Sequence, residues 1–283
     1  MTIEELLKQE SERLKDNGYV HGDREVDIFL SKLLKADSGT LINRYEDNID
    51  DGTVETLQDM VNRRIQGEPV AYIVGTQSFF GWEFNSDNRA LIPRPETETL
   101  TEILIRLINK KGLQEGKFLE VGTGAGIIAI ALKKHFNSAD ITATDISDEA
   151  LSLAEENARK LKVEVNFLES DLFSNVRDTD YDLIVANLPY VPTQKLEFVS
   201  DQILDWEPMV AIEAGEDGLK YIDPFIKEIG KHLKKTGIVA LEFWHTHGEP
   251  VEELVKQYLP GHKVEIEKDL AGFDRYAIIT PEN

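Results

Sequence analysis

The chain has 283 residues, 41% hydrophobic and 30% charged, with 53 Asp and Glu against 31 Lys and Arg for a formal charge of −22. That size holds about two domains of an ordinary globular chain, and the acidic surplus repels phosphate backbones, which argues against tight non-specific nucleic-acid binding. Zero cysteines exclude a disulfide scaffold, a Cys-ligated zinc or iron–sulfur site and a thiol nucleophile.

The N-terminus, Met1-Thr2-Ile3-Glu4-Glu5, carries acids where a signal peptide carries bases. No apolar run approaches the roughly 18–20 residues of a membrane helix, so a cytoplasmic protein free of the membrane is expected. Ile3, Leu7 and Leu14 share one face of a charged stretch that stops at Asn17-Gly18. Val26, Phe29, Leu30, Leu33 and Leu34 follow the spacing of one apolar helical stripe. Val54, Leu57, Val61 and Ile65 repeat it before Gly67 and Pro69 end the run. Residues 1–70 thus read as a small helical bundle that presents a surface to a substrate too large for a pocket.

Over residues 71–93 the period changes. Ala71-Tyr72-Ile73-Val74-Gly75 and Phe79-Phe80-Gly81-Trp82-Glu83-Phe84 are β-rich, with turn residues between and after them. This predicts a β-hairpin joining two domains. Residues 94–283 open with a helix from about Glu96 to Asn109, with Leu100, Ile103, Leu104 and Leu107 inward.

Strands and helices then alternate. Strands are expected at Phe118–Val121, Ile141–Thr144, Val163–Leu168, Asp182–Ala186, Ile238–Phe243, Val264–Glu267 and Tyr276–Thr280. Helices fall at Ile127–His135, at Asp148–Leu161 with Ser147 as its cap, at Leu219–Leu233 and at Val251–Tyr258. About eight residues join the last two strands, too few for a parallel crossover. The prediction is an α/β, doubly wound, mostly parallel seven-stranded sheet with one antiparallel strand near its end.

The first of these strands runs through Glu120 and Val121 into Gly122-Thr123-Gly124-Ala125-Gly126 and then a helix. Glycines there let the backbone turn tightly beside a ligand, and the helix N-terminus offers N–H groups. The spacing is GxGxG, unlike the GxGxxG of nicotinamide enzymes, and alone it also fits a tight turn without ligand. The next strand ends at Asp145, where a carboxylate is placed to accept both hydroxyls of a ribose. The third ends at Ser170-Asp171-Leu172-Phe173. Asp171 there can accept from an adenine amino group, with Leu172 and Phe173 as an apolar wall; read alone, the segment equally fits a loop acid beside core residues.

The fourth strand closes on Asn187-Leu188-Pro189-Tyr190. An –NH₂ nitrogen conjugated to a carbonyl or ring is a poor nucleophile, and two acceptors aimed at its hydrogens orient its electron density and stabilise developing positive charge. The Asn187 side-chain oxygen and a backbone carbonyl supply such acceptors, Pro189 holds the turn open, and Tyr190 is suited to stack on a flat amide or base. In isolation N-x-P-Y is a strand-end turn; after GxGxG and Asp145 in this fold it reads as a site.

The ordered set Glu120 to Gly126, Asp145, Asp171 and Asn187 to Tyr190 resembles class I S-adenosylmethionine-dependent methyltransferases, Rossmann-like enzymes, that act on a planar –NH₂ group. Arg64-Ile65-Gln66-Gly67-Glu68-Pro69-Val70-Ala71-Tyr72-Ile73 and Leu91-Ile92-Pro93-Arg94-Pro95-Glu96-Thr97-Glu98 resemble the interdomain signature of the HemK/PrmC protein-(glutamine-N5) methyltransferases. Glu207-Pro208, Gly215-Glu216-Asp217-Gly218-Leu219 and Asp269-Leu270-Ala271-Gly272-Phe273-Asp274-Arg275 resemble that family's C-terminal segments.

The resemblance implies methyl transfer to the glutamine of the Gly-Gly-Gln loop of class 1 peptide-chain release factors. It implies that Gly122, Thr123, Gly124, Ala125 and Gly126 wrap the methionine part of S-adenosylmethionine, Asp145 holds the ribose, and Asp171 and Leu172 contact the adenine. Asn187, at the cofactor as well, receives the glutamine amide together with Leu188, Pro189 and Tyr190. The family usually has Pro where this chain has Leu188, and enzymes that methylate the N6 nitrogen of adenine in DNA or RNA also use Asn-Leu-Pro-Tyr; the charge of −22 weighs against that alternative. Phe243-Trp244-His245-Thr246-His247 also departs from the family's pattern. His245 and His247 stand at i, i+2 past a strand rather than at the helical i, i+4 of zinc sites, and no metal is expected.

Overall fold

The computed structural model describes residues 1–282, which divide by their contacts after Thr76. The N-terminal unit holds five helices: α1 (Ile3–Asp16), α2 (Gly22–Leu34), α3 (Ser38–Ile42), α4 (Asp51–Ile65) and α5 (Val70–Val74). Thr2 and Glu5 form a reciprocal capping box at the start of α1. Ile3, Leu6, Leu14, Val26, Phe29, Leu30, Leu57 and Val61 make the buried core. A Cβ on Gly22 would lie 2.7 Å from Leu14 Cβ, so the close approach of α2 to α1 requires glycine there. Not every acid of this unit is solvated: Glu10 is fully buried and pairs with Arg13.

The strand expected over Ala71–Gly75 is instead the single-turn α5. Pro69 (φ −59, ψ 140) precedes its first turn, and Ala71 and Ile73 are buried. Ile73 joins the helical core with Val70 and Val74 beside it, so tertiary packing outweighs their β preference. The hairpin is accordingly shorter than the segment assigned to it: β1 (Thr76–Phe79) and β2 (Trp82–Asn85) pair as a two-stranded sheet. Phe79 and Phe84 are buried with Ile130, Ala131 and Ala158.

The large unit continues with α6 (Pro95–Lys111), β3 (Lys117–Val121), α7 (Ile127–His135), β4 (Asp140–Asp145), α8 (Asp148–Leu161), β5 (Asn166–Glu169) and β6 (Tyr181–Ala186). It ends with α9 (Asp201–Trp206), α10 (Ile222–Ile229), β7 (Leu233–Glu242), α11 (Gly248–Tyr258), β8 (His262–Lys268) and β9 (Asp274–Pro281). Pro95 supplies the fixed φ of the first turn of α6. Ser147 caps α8 by accepting the Ala150 N–H. The helix expected over Leu219–Leu233 contracts to Ile222–Ile229, and Leu233 already begins β7.

The sheet order is β5-β4-β3-β6-β7-β9-β8, with β9 antiparallel to both neighbours and every other pairing parallel. This is the mostly parallel seven-stranded sheet with one antiparallel strand near its end that the alternation of strands and helices predicts. Alternate residues of the central strands are apolar on both faces. Leu119, Val121, Ile184, Val239 and Leu241 meet the layer with α10 and α11, while Phe118, Leu183, Val185, Ile238 and Ala240 meet the layer with α6 and α7. A sheet covered on both sides needs such continuous apolar strands.

The strand order reverses between β3 and β6, the switch point at which open α/β sheets bind ligands. Val121 lies opposite Ala186, and Ala186 opposite Leu241. The next residue of each strand therefore falls at the same sheet edge: Gly122, Asn187 and Glu242.

Candidate active site

A cleft at this edge is lined by the glycine loop, Asp145, Asp171, Leu172 and the Asn187 turn, with Ala90 to Arg94 forming another wall. Gly122, Gly124 and Gly126 have φ of 75°, 53° and 81°. The loop is pinned because the N–H groups of Gly122 and Thr123 both donate to the Thr144 carbonyl, at 2.8 Å each. The Asn157 side chain, fully buried on α8, donates to the Ala125 carbonyl at 3.0 Å and also bonds both backbone groups of Asn85. One amide thus ties hairpin, helix and glycine loop together.

Asp145 ends β4 with Oδ2 accepting the Gly124 N–H at 2.8 Å and Oδ1 accepting the Ser147 N–H at 2.9 Å. Burial pushes its carboxyl above the usual range, against the pull of those N–H groups. Glu120, buried at the end of β3, uses Oε2 for both the Thr123 hydroxyl (2.7 Å) and the Ala129 N–H (2.8 Å). Burial raises its carboxyl to about 8, with the two hydrogen bonds opposing.

Asp171 and Leu172 both line the cleft, and Leu172 does so in the left-handed region at φ 48°. The Ser170 hydroxyl donates to the Leu172 carbonyl (2.9 Å) and accepts the Asn175 N–H (3.0 Å), which holds a backbone state that costs about 1–2 kcal/mol for a residue with a Cβ. Phe173 is not a cleft wall. It is buried in the core, stacked on Phe225 and on His232 with centroids 5.5 and 4.8 Å apart, because the turn at Leu172 sends the following side chain inward.

Asn187, Leu188 and Pro189 line the cleft, whereas Tyr190 stands behind it. Asn187 Nδ2 donates to Thr97 Oγ1 at 3.0 Å, and among the described residues Oδ1 accepts no hydrogen bond. The Thr97 hydroxyl donates to Glu242 Oε2 at 3.1 Å, and the Tyr190 hydroxyl to Glu242 Oε1 at 3.0 Å. The surface of Tyr190 expected to stack on a ligand instead packs against the core and lies 6.3 Å from the Trp244 ring. Burial raises the Tyr190 phenol far above its ordinary value, with the Glu242 charge adding to it.

Residues 94–206 match the Methyltransferase small domain, and residues 5–75 the PrmC N-terminal domain. The release factor glutamine methyltransferase of Bacillus cereus is 32% identical over 278 residues, 97% of this chain and 98% of that one. The protein of the same name in Koribacter versatilis is 34% identical over 253 residues, 89% of each. The chain belongs to the release factor glutamine methyltransferase family.

It is an S-adenosylmethionine-dependent methyltransferase. Among solved structures, a methyltransferase from Pyrococcus furiosus superposes with a TM-score of 0.52 at 20% identity, over 80% of this chain and 98% of that one. The hMettl16 catalytic domain in complex with MAT2A 3'UTR hairpin 6 gives 0.55 at 17% identity, over 83% and 84%. At such identities both speak for the fold alone.

The donor set of this methyltransferase fits its methyl donor. Gly122 holds the loop at φ 75° with Leu188 Cδ2 2.8 Å from where a Cβ would stand, a carboxylate ends β4, and an apolar residue beside an acid follows β5. Three residues were given no site role from the sequence, although Thr97 and Glu207 stand in segments that carry the family resemblance. Thr97 and Glu242 belong to the Asn187 network, and Glu207, buried, accepts the Ile92 N–H at 2.9 Å and pairs with Arg94 to clasp one wall. An acid ending the apolar run Ile238 to Leu241 was the available signal for Glu242. His247 is buried and His245 exposed, and neither belongs to a group of metal-ligating side chains among the described residues.

Proposed function

We propose that this chain transfers the methyl group of S-adenosylmethionine to the side-chain amide nitrogen (N5) of the glutamine in the Gly-Gly-Gln motif of class 1 peptide-chain release factors. The observation that carries the reading is the Asn187 amide, which lines the cleft with Nδ2 occupied by Thr97 and Oδ1 left to accept from a ligand. Relatives at about a third identity over nearly the full chain bear the corresponding name, that of Bacillus subtilis at 33% identity over 282 residues among them.

The backbone from Gly122 to Gly126 would hold the methionine portion of the donor, Asp145 the ribose hydroxyls, and Asp171 with Leu172 the adenine. When bound, S-adenosylmethionine supplies an electrophilic sulfonium methyl. The chain's part is alignment. Asn187 Oδ1 and the main-chain carbonyl of Leu188 accept the two amide hydrogens of the glutamine, so that its nitrogen presents its face to the cleft and the positive charge gained there is stabilised. Leu188 keeps that carbonyl although it lacks the ring of the usual Pro. No resident base is required in advance, since an N-methylated amide loses its extra proton readily to water. Tyr190 anchors the turn through Glu242 rather than by stacking. A release factor as partner places the enzyme in the cytoplasm, with neither membrane nor nucleic acid as a direct partner.

Labelled S-adenosylmethionine incubated with the protein, a purified release factor and total nucleic acid tests this directly. Label is expected in the release factor, on the Gly-Gly-Gln glutamine by peptide mass mapping. Label in nucleic acid alone would replace the reading with adenine-N6 methylation.

A further inference from the structure

Glu242 closes an apolar strand and is 1% exposed. A carboxylate has no hydrogen to give, so both of its oxygens must accept. Oε2 takes the only hydrogen of the Thr97 hydroxyl and Oε1 that of Tyr190. Having spent its hydrogen, Thr97 Oγ1 can only accept toward Asn187, and it takes Nδ2. The direction of every bond is thus fixed from the carboxylate outward, ending with the Asn187 amide turned Nδ2 inward and Oδ1 to the cleft. With Glu242 uncharged or Thr97 removed, nothing prevents the amide from rotating by half a turn. It would then present two N–H donors to an –NH₂ group, a donor facing a donor.

We propose that Thr97 and Glu242 are positioning residues that set the polarity of the Asn187 amide, so that an acceptor always faces the nitrogen to be methylated. This rests on the amide-methylating reading of the site given above. Around Glu242 stand Tyr190 from the turn after β6, Glu96 from α6, and Arg275 and Tyr276 from β9, with Arg275 also paired to Asp269 at 3.2 Å. Burial lifts the Glu242 carboxyl to about 7; the Tyr190 and Thr97 hydroxyls and Arg275 pull it down, and Glu96 pushes it up. The orienting charge is therefore present above about pH 7 and lost below it.

Nitrogen-15 spectra of the side-chain amides give a readout independent of turnover, with the Asn187 pair identified by its absence from Asn187→Asp. In the wild type the pair should shift with pH, with a midpoint near the Glu242 value, about 7. The titration should vanish in Glu242→Gln, and the hydrogen-bonded shift should be lost in Thr97→Val and kept in Thr97→Ser. With a release factor as substrate, Thr97→Val and Glu242→Gln should lower kcat roughly 10–100-fold, as loss of alignment does. KM for the release factor and Kd for S-adenosylmethionine should stay within about 3-fold, and Thr97→Ser should stay near wild type. An Asn187 pair that ignores both pH and Thr97→Val, or native kcat in Thr97→Val, overturns the proposal. Should Thr97→Val not fold, the wild-type titration and Thr97→Ser decide it. If the spectra behave as described while no release factor is methylated, the positioning network stands and the substrate assignment falls.

Discussion

A Cβ built on Gly122 would stand 2.8 Å from Leu188 Cδ2. Gly122 ends β3 and Leu188 follows β6, so the pairing of Val121 with Ala186 brings the cofactor loop and the substrate turn into contact. Leu188 is 5% exposed and belongs to the core on one face of the sheet. The Leu188 side chain thus fills the space beside the Gly122 backbone.

Gly122→Ala is expected to destabilise the protein by about 2 kcal/mol, combining the left-handed backbone at φ 75° with overlap against Leu188. It should also weaken S-adenosylmethionine binding by calorimetry. Adding Leu188→Ala relieves the overlap, so the double mutant should be more stable than the sum of the two singles by roughly 0.5 kcal/mol or more. Strict additivity in denaturant melts would mean that the two side chains do not compete.

Asp145→Asn leaves the residue with one acceptor oxygen for two N–H groups, those of Gly124 and Ser147. One N–H must then face the new NH₂ group. Together with the lost ribose acceptor, this should weaken cofactor binding about 10–100-fold, the size of hydrogen bonds to a charged group. Turnover at saturating cofactor should change far less. Unchanged affinity by calorimetry would remove Asp145 from the binding set.

Asn187→Ala removes the acceptor itself. Single-turnover rates with a release factor should drop about 100-fold or more, while cofactor affinity shifts by less than about 3-fold. Near-native rates would exclude Asn187 from the mechanism.

Glu120 carries a pH signature. Its carboxyl holds a proton up to about 8 in the folded chain because it is buried, and only to 4.5 in the ordinary case. Between those values the folded state binds a proton that the unfolded state has lost. Stability therefore falls as pH rises through that window, by a few kcal/mol at most in order of magnitude, and levels off above it. Glu120→Gln cannot titrate. The stability difference between wild type and Glu120→Gln, from denaturant melts of the cofactor-free protein, should drift in favour of the variant from pH 5 to 8; a flat difference would place the Glu120 carboxyl near its ordinary value.

Local chemistry made much of this molecule legible in the sequence. A helical period placed α2 and α4, and short apolar runs placed the central strands, because burial of one stripe or of both sheet faces leaves its mark on neighbouring residues. The eight-residue link between the last strands required an antiparallel partner, and β9 is that strand. The glycine loop, Asp145 and the Asn187 turn were readable because each sits at a strand end beside turn residues.

What the sequence did not carry was decided by contacts between distant segments. Ala71 to Val74 have strand-like side chains but complete a helical core, and so form a helix. Phe173 and Tyr190 look like ligand platforms, yet a left-handed Leu172 turns one inward and a buried acid holds the other. Thr97 and Asn187 meet across 90 residues, and Thr97 and Glu242 across 145. A side chain's own neighbours in the chain record whether it is buried and which way the backbone turns. The partner that fixes the direction of its hydrogen bond is set by strand order and register, which only the folded sheet brings together.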